Sequence, residues 1–572
     1  MVNLIIDGKN ITVENGITIL EAARSAGINI PTLCYLKDIN EIGACRVCVV
    51  EIEGNANLCA ACNTQAEDGM VIYTNSPRVR TARRINLELI LSAHNTNCTS
   101  CVRNGNCTLQ TLCRDLNITD IPFEVTYKKK KWDTSIPLIR DREKCVKCMR
   151  CISVCEKVQG LGVWDIVGTG HRTTVGIRGT TDFNATKCAL CGQCITHCPV
   201  GALHERDDTR NLLDALGDPD KIVIAQVAPA VRTAWGEDLG LTREQATVGK
   251  MVSALRTIGF DYVFDTDFAA DMTIMEEGSE LLERLSHKKD YSWPMFTSCC
   301  PGWIRFLKHE YPEFTKNLSS AKSPQQMFGS IAKTYFAKKL GVDAEKIVCV
   351  SIMPCIAKKY EADVPQVSSA SKKDVDIVLT TREICRMLRS GGLDFAKIQE
   401  SEFDAPLGLG TGAGVIFGTS GGVMEAALRS AHYLITGENP DADKFSAVRG
   451  MDGWKERTVQ VGDATFNVAV TNGLANARRL IEAIKAGKVS YDFVEIMACP
   501  GGCVGGGGQP IRDGQELAAE RSKTLRNLDS ASVIRFSHEN PFIKTVYEEY
   551  LEKPNSHIAH ELLHTSHQEW DI

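Results

Sequence analysis

The sequence predicts a multidomain chain of mixed α+β and α/β class, with three small cysteine-rich domains leading into one large α/β domain. Three observations predict it. The chain has 572 residues, enough for about three to five domains of ordinary size. Its 24 cysteines fall into groups with fixed spacings, most of them ahead of residue 208. From about Thr209 the composition turns ordinary, and short apolar strands alternate with amphipathic helices.

Bulk properties exclude several classes. The net charge of −6 argues against nucleic-acid binding, which leaves a basic footprint. The one basic run, Lys128 to Lys131 beside Trp132, reads as a solvated linker or docking surface. No stretch approaches the ~18 consecutive apolar residues of a membrane span. "MVNLIIDGKN" has neither a basic n-region nor a long apolar h-region, so it is not a secretory signal, and the expected compartment is the cytoplasm. Dense cysteine in a reducing compartment reads as metal binding rather than disulfides.

The first domain spans residues 1–80. "VNLIIDGKNITV" alternates around an Asp7-Gly8 turn and predicts a hairpin, and "ITILEAARSAG" predicts a helix stopped by Gly27. Cys34, Cys45, Cys48 and Cys62 follow the pattern of a [2Fe–2S] site held by one loop and one later residue. Cys59 competes with Cys62; Cys62, just before the polar "NTQAEDGM" turn, is preferred. The stretch resembles the plant-type ferredoxin domain at the front of respiratory complex I large subunits, which implies a β-grasp fold.

Residues 81–126 carry "AHNTNCTSCVRNGNC", with His94, Cys98, Cys101 and Cys107. One His and three Cys at this spacing suit zinc or iron–sulfur equally. The complex I-like families carry a [4Fe–4S] cluster on such an element, and cluster sites on both sides favour iron. Cys113 lies outside the spacing and reads as a small buried residue.

Residues 127–208 hold two C-x2-C-x2-C-x3-C runs, "CVKCMRCISVC" and "CALCGQCITHCP". This is the run of two-cluster bacterial ferredoxins, in which the fourth cysteine of each run ligates the other cluster. One [4Fe–4S] cluster is then expected on Cys145, Cys148, Cys151 and Cys198. The other is expected on Cys188, Cys191, Cys194 and Cys155. Up to residue 208 the chain is wiring, with one [2Fe–2S] and three [4Fe–4S] clusters expected.

The large domain spans residues 209–572. "KIVIAQVAP", "DYVFDT", "KIVCVSIMPC", "FNVAVTNG" and "YDFVEIMACPGGC" read as strands. "TREQATVGKMVSALRTIG", from its leading Thr242 cap, and "ANARRLIEAIKAG" read as helices. Strands run straight into Cys300, Cys355 and Cys499, and α/β sheets place ligands beyond the carboxyl ends of their strands. "FTSCCPGW" sets Cys299 beside Cys300, and adjacent cysteines rarely pair with each other. "GLGTGAGVIFGTSGG" is not a strand–G-x-G-x-x-G–helix element, so no flavin or NAD site is expected on this chain.

"TSCCPGW", "MPCIAKKYEA" and "EIMACPGGCVGGGGQP" together resemble the three signatures of the [FeFe]-hydrogenases; "DFAADMTIMEE", "LSSAKSPQQ" and "TREICRML" also match. The resemblance implies an H-cluster. Cys300, Cys355, Cys499 and Cys503 would hold a [4Fe–4S] cluster, and Cys503 would bridge it to a two-iron subsite carrying CO, cyanide and an azadithiolate. Lys358 would donate to a cyanide, Gln325 and Phe417 would line the pocket, and Met353 and Met497 would pack on the iron pair. Ala230, in "VAPAVR", stands where studied members carry Ser. Cys299 would be no ligand but would pass protons, through Glu277 and Ser319 to Glu280. Without the resemblance, Glu277 and Glu280 would read as a solvated helix face.

The implied reaction is 2H⁺ + 2e⁻ ⇌ H₂, with dihydrogen split between the distal iron and the bridging amine. Two other readings compete: a non-catalytic hydrogenase-like iron–sulfur assembly protein, and an electron-transfer subunit like the complex I large chain. The pocket residues count against the first and the terminal domain against the second. The front end and the tail "AHELLHTSH" resemble hydrogenase subunits of NAD-linked, electron-bifurcating assemblies, which implies ferredoxin and flavin- and iron–sulfur-bearing NADH-oxidising subunits as partners. A stand-alone ferredoxin-dependent enzyme is the alternative. The C-terminal histidines read as structural or surface residues.

Overall fold

The computed structural model describes residues 1–127, 131–395 and 397–570, with only the backbone of His171; residues 128–130 of the basic run lie outside the described residues. The chain divides into two compact units. The first comprises residues 1–158, 162–186 and 197–204, and the second residues 159–161, 187–196 and 205–572.

The first unit opens with the hairpin Val2–Ile6 and Lys9–Val13. Asp7 and Gly8 turn it with φ of 48° and 80°, the left-handed pair that matches strand twist. Strand Val71–Tyr73 joins Val2–Ile6 in parallel, and Val49–Ile52 and Cys59–Ala60 extend the sheet to five strands. Helix Ile19–Ser25, capped by the Thr18 hydroxyl, closes one face over Leu4, Ile6, Val50 and Ile72. Helix Pro77–Ser92 follows, with Ser76 as cap and Pro77 at its first position. Its buried Arg83 donates to the Val49 carbonyl at 2.8 Å, tying the helix to the chain just after Cys48.

The second unit is built on two four-stranded sheets. One is wholly parallel, in the order Tyr262–Asp265, Ile222–Val227, Ile347–Met353, Ile377–Thr380. Its strands are nearly continuous apolar runs, as strands covered on both faces must be. The other runs Met295–Phe296, Phe493–Met497, Ala464–Asn472, with Trp454–Val461 added as an antiparallel edge. Helix Thr266–Ser286 is buried over most of its length.

One helix differs from the sequence reading. The segment expected to start at Thr242 becomes helical only at Val248, capped by Thr247, whose hydroxyl accepts from the Lys250 amide at 3.3 Å. Ahead of it Thr242 and Gln245 exchange side-chain-to-backbone hydrogen bonds in a separate turn. Such local bonds compete with the helix, and the later threonine takes the cap. No helix among the described residues is long and apolar enough to cross a membrane.

Candidate functional site

In the first unit the spaced cysteines gather into separate groups. Cys34, Cys45, Cys48 and Cys62 are buried together. Hydrogen bonds from Cys45 and Cys62 drive the Cys34 thiol down, while Cys45 and Cys62 are driven up by the same contact. Cys59 stays outside this group, half-buried, with Asn55 donating to its sulfur at 3.5 Å.

His94, Cys98, Cys101 and Cys107 line one cavity of about 190 Å³ with Cys113 and Gly201. That is many times the ~10–15 Å³ that one water needs on the same measure, so the four side chains face open room. A Cβ at residue 201 would stand 2.6 Å from the Cys101 sulfur, so glycine lets the backbone close over the thiol. His94 Nδ1 lies 2.9 Å from the Lys144 carbonyl. A carbonyl only accepts, so Nδ1 carries the proton and Nε2 keeps its lone pair, the orientation a metal-binding imidazole needs.

Cys145, Cys148, Cys151 and Cys198 line a tighter cavity of about 20 Å³. Burial pushes the Cys148 and Cys151 thiols up, and the neighbouring sulfurs, Cys198 included, add to it. Cys155 is buried in the first unit, its sulfur accepting the Val163 amide at 3.3 Å. Cys188, Cys191 and Cys194 are buried members of the second unit.

In the second unit the strand ends converge as expected. Strand Met295–Phe296 leads to Cys299 and Cys300, Ile347–Met353 to Cys355, and Phe493–Met497 to Cys499, with Cys503 on the following turn. Burial raises the thiols of Cys300, Cys355, Cys499 and Cys503, and charge on Cys300 and Cys355 raises Cys503 further. Cys300, Cys355 and Cys503 nevertheless keep accessible surface. Deep thiols facing open space and repelling one another as thiolates fit a cationic cluster that would fill the space and hold the sulfurs deprotonated. The turn after Cys503 needs glycine: a Cβ at residue 506 would meet the Pro354 carbonyl at 2.2 Å, one residue before Cys355. Cys499 Sγ lies 3.7 Å from the Cys191 carbonyl, so the thiol group adjoins the second ferredoxin-type run within the same unit.

The expected pocket residues surround these thiols. Met497 and Phe417 share an apolar cluster with Cys299, Cys300 and Cys503. Met353 is buried two residues before Cys355. Ala230 is fully buried and packs with Val504 and Cys503. Lys358 is a buried cation whose Nζ donates to Glu361 at 2.8 Å and to the Cys299 carbonyl at 3.1 Å. Burial works against its charge, but Glu361 and the thiols Cys299 and Cys355 outweigh it. Gln325 donates to the same Glu361 carboxylate at 3.1 Å and accepts from Ser351 at 2.9 Å. Glu361 is a site residue the sequence reading missed; its signal was the i,i+3 spacing from Lys358.

The carboxylates of helix Thr266–Ser286 are not a solvated face. Glu276, Glu277 and Glu280 are all buried. Burial pushes Glu277 up to about 8, helped by the charge on Glu280, and neither of its oxygens has a hydrogen-bond partner within ordinary reach. Burial also raises the Cys299 thiol, with Glu277 the next cause, so the two sit within electrostatic reach. Glu280 accepts from the Ser319 hydroxyl at 2.6 Å, from the Ser320 amide and from Arg284 at 2.5 Å. Arg284 was missed as well, at i,i+4 from Glu280. The C-terminal histidines divide between the two readings given for them: His564 and His567 are buried, and His557 and His560 are exposed.

Comparison with known proteins agrees along the whole chain. Residues 221–507 match the C-terminal domain of the iron-only hydrogenase large subunit, and residues 515–570 the iron hydrogenase small subunit. Ahead of them, residues 1–77 match a 2Fe-2S cluster-binding domain, 83–122 the iron–sulfur region of NADH-ubiquinone oxidoreductase G, and 144–202 a 4Fe-4S dicluster domain. The chain is 49% identical to the NADP-reducing hydrogenase subunit HndD of Solidesulfovibrio fructosivorans, covering 99% of this chain and 98% of that protein. It is 40% identical to iron hydrogenase 1 of Clostridium pasteurianum, covering 99% of both. The apo [FeFe]-hydrogenase HydA1 from Chlamydomonas reinhardtii superposes with a TM-score of 0.57 at 45% identity, covering 63% of this chain and 98% of that one. Signature cysteines at converging strand ends, iron–sulfur-type domains ahead of them and full-length similarity agree: the chain belongs to the iron-only, or [FeFe]-, hydrogenases and is an oxidoreductase acting on dihydrogen.

Proposed function

We propose that this hydrogenase works as the hydrogen-converting subunit of a complex whose flavin- and iron–sulfur-bearing partners oxidise or reduce a nicotinamide nucleotide. The observation that carries it is the end-to-end similarity, 99% of this chain, to a subunit of an NADP-reducing hydrogenase. The iron–sulfur region of the NADH-ubiquinone oxidoreductase G type, residues 83–122, supports it. Full-length similarity to iron hydrogenase 1 favours the second reading, a chain working alone with ferredoxin. In the cytoplasm, residues 1–80 would act as a [2Fe–2S] domain and residues 81–126 as a [4Fe–4S] domain with one histidine and three cysteine ligands. Residues 127–208 would act as a two-cluster domain and residues 209–572 as the catalytic domain.

The proposed cluster ligands are the sets that spacing and family signatures group. Cys34, Cys45, Cys48 and Cys62 would hold the [2Fe–2S] cluster. His94 with Cys98, Cys101 and Cys107, Cys145, Cys148 and Cys151 with Cys198, and Cys188, Cys191 and Cys194 with Cys155 would hold three [4Fe–4S] clusters. Cys300, Cys355, Cys499 and Cys503 would hold the H-cluster, which when bound supplies the redox chemistry joining two protons and two electrons.

The protein's own residues do the rest. Lys358, kept charged by Glu361, offers a buried cation to the anionic ligands of that group. Met353, Met497, Phe417 and Ala230 exclude water, and Gln325 holds Glu361 in place. Cys299 and Glu277 form a pair of buried, protonated acids at neutral pH, and a proton passing from one reaches Ser319 and Glu280 next.

Clusters carry single electrons, and a hydride donor needs a flavin to split its pair. No flavin site is proposed on this chain. The purified single chain is therefore expected to evolve H₂ from dithionite and a viologen and none from NADH or NADPH. Nucleotide-driven H₂ from the single chain without added flavin would overturn the complex reading. Native purification with no co-eluting flavoprotein, together with full ferredoxin-driven activity, would favour the second.

A further inference from the structure

We propose that His564 and His560, in the C-terminal segment, carry protons between Glu280 and solvent. The inference rests on the reading of Glu277, Ser319 and Glu280 as a relay and asks where that relay meets water.

Glu280 is nearly enclosed, its side chain 11% exposed. Its one charged hydrogen-bond partner is Arg284, which keeps its proton at any working pH and cannot pass one on. On its other side stands Ser320. The Ser320 amide donates to both Glu280 oxygens, at 3.1 and 3.0 Å, while its hydroxyl lies 2.8 Å from His564 Nδ1. A single residue thus separates the carboxylate from a buried imidazole.

His564 is held like a working base. Its Nε2 lies 3.0 Å from Glu276, whose carboxylate also accepts from Tyr547 and from the Asn555 amide at 2.9 Å. A carboxylate on Nε2 fixes the proton there and leaves Nδ1 to accept from the Ser320 side, and it stabilises the imidazolium once formed; Glu276 is a positioning residue. The register is set by backbone: Lys322 donates to Leu563, and Thr565 to Ser320, both at 2.8 Å. Packed on the His564 ring, centroids 4.2 Å apart, is His560, which is exposed. Hydroxyl, buried imidazole and exposed imidazole therefore stand in order between an enclosed acid and water.

A separate observation points the same way. His567, three residues further along the chain, is buried with both ring nitrogens unpartnered, within electrostatic reach of Glu280 and close to the Ser319 backbone. The segment thus turns a second unused imidazole toward the relay. All three histidines lie in the stretch matching the iron hydrogenase small subunit.

In the direction of H₂ formation, a proton taken from water at His560 passes to His564, charging it against Glu276. His564 Nδ1 returns it to the Ser320 hydroxyl, which turns to hand its own proton to the Glu280 carboxylate held by the same residue's amide. Oxidation runs the same steps outward. Imidazole is the side chain suited to this near neutrality. The charged and titratable groups facing the pair are Glu276, Glu280, Glu283 and Arg284 from the long helix, Tyr547 from the neighbouring helical turn, and Lys308 and His567 beyond Ser319.

The test uses the holoenzyme with reduced viologen. His560→Gln and His564→Gln are expected to lower H₂ evolution about tenfold near pH 8, where protons are scarce, and little near pH 6. Added imidazole should restore the rate, and the infrared CO and CN⁻ bands should not move. A loss equal at every pH and not rescued by imidazole marks a structural role and overturns the proposal. Wild-type rates in both variants overturn it too. If His564→Gln fails to fold, exposed His560→Gln decides alone. Glu280→Gln separates the two failures: if it is inactive while the histidine variants are normal, the exit lies elsewhere, and if it is fully active the relay reading itself fails.

Discussion

Two regions of this enzyme bury titratable groups and resolve the cost in opposite ways. Around Cys145, Cys148, Cys151 and Cys198 burial and the neighbouring thiols raise Cys148 and Cys151, and the buried cations Arg150 and Arg140 offset this only in part. Holding all four as thiolates would take a bound metal group. On helix Thr266–Ser286 the buried carboxylates are answered by protein instead: Glu276 by Tyr547, Asn555 and His564, and Glu280 by Ser319, Ser320 and Arg284. Asp267, without a hydrogen-bond partner in ordinary geometry, is at least ion-paired with Arg232 at 2.9 Å, whereas Glu277 has neither hydrogen bond nor cation among the described residues. A uniform ring of thiols is a place for a fixed cofactor, whereas a lone orphan among satisfied neighbours is a place for a moving proton.

The largest effect that would sharpen this contrast is at Cys299, whose thiol lies within electrostatic reach of Glu277 and of the Cys300 and Cys503 thiols. Cys299→Ala is expected to keep the CO and CN⁻ infrared bands and lose nearly all turnover, on the order of a hundredfold or more. Wild-type-like rates would break the proton side of the comparison.

Glu277→Gln comes next, with a loss of similar order and a signature in stability. The folded protein holds the Glu277 carboxyl at about 8, against an ordinary 4.5, chiefly through burial. Between those values the folded state binds a proton that the unfolded state has released. The stabilisation is full below about pH 4.5 and is lost as pH rises through about 8, by at most about 1.4 kcal/mol per unit. Gln cannot ionise, so the melting temperature of Glu277→Gln should fall less from pH 6 to pH 9 than that of the wild type. Parallel pH profiles would show that Glu277 has a hidden partner.

A smaller effect tests the thiol side. His94→Ala should disturb one accessory cluster, seen by electron paramagnetic resonance, and slow electron delivery from a protein donor severalfold. H₂ evolution from a small, strong reductant should largely survive. Zinc in the wild-type protein would break the assignment of that cavity to iron. The smallest effect is expected at Ala230→Ser, which adds one hydroxyl beside Cys503 and Gly418. A shift of the infrared bands with turnover within about twofold is expected; loss of the bands would mean the site cannot admit the extra atom.

Much of this was legible in the chain itself. The thiols within each run could be grouped from spacing, because cysteines two or three residues apart are brought together by the local turn; that Cys198 joins Cys145, Cys148 and Cys151 was expected from the two-cluster ferredoxin run, and the four line one cavity. Cys300, Cys355, Cys499 and Cys503 lie far apart along the chain. They became a group only through signatures, and they meet because strand ends of both four-stranded sheets lead to them, Ile347–Met353 from one and Met295–Phe296 and Phe493–Met497 from the other. The helix start was misjudged, Thr247 rather than Thr242, because two competent caps lie close together and packing chose between them.

By itself, then, the sequence determined the strand–helix alternation, the local signatures and the short-range cysteine groups, since each depends on residues near one another along the chain. Only the tertiary structure decided which carboxylates are answered and which are orphaned, that Lys358 and Gln325 share Glu361, and that His564 lies inside against Ser320 and Glu276. Those are matters of desolvation, and desolvation is set by what distant segments bring to cover a side chain, which no local spacing records.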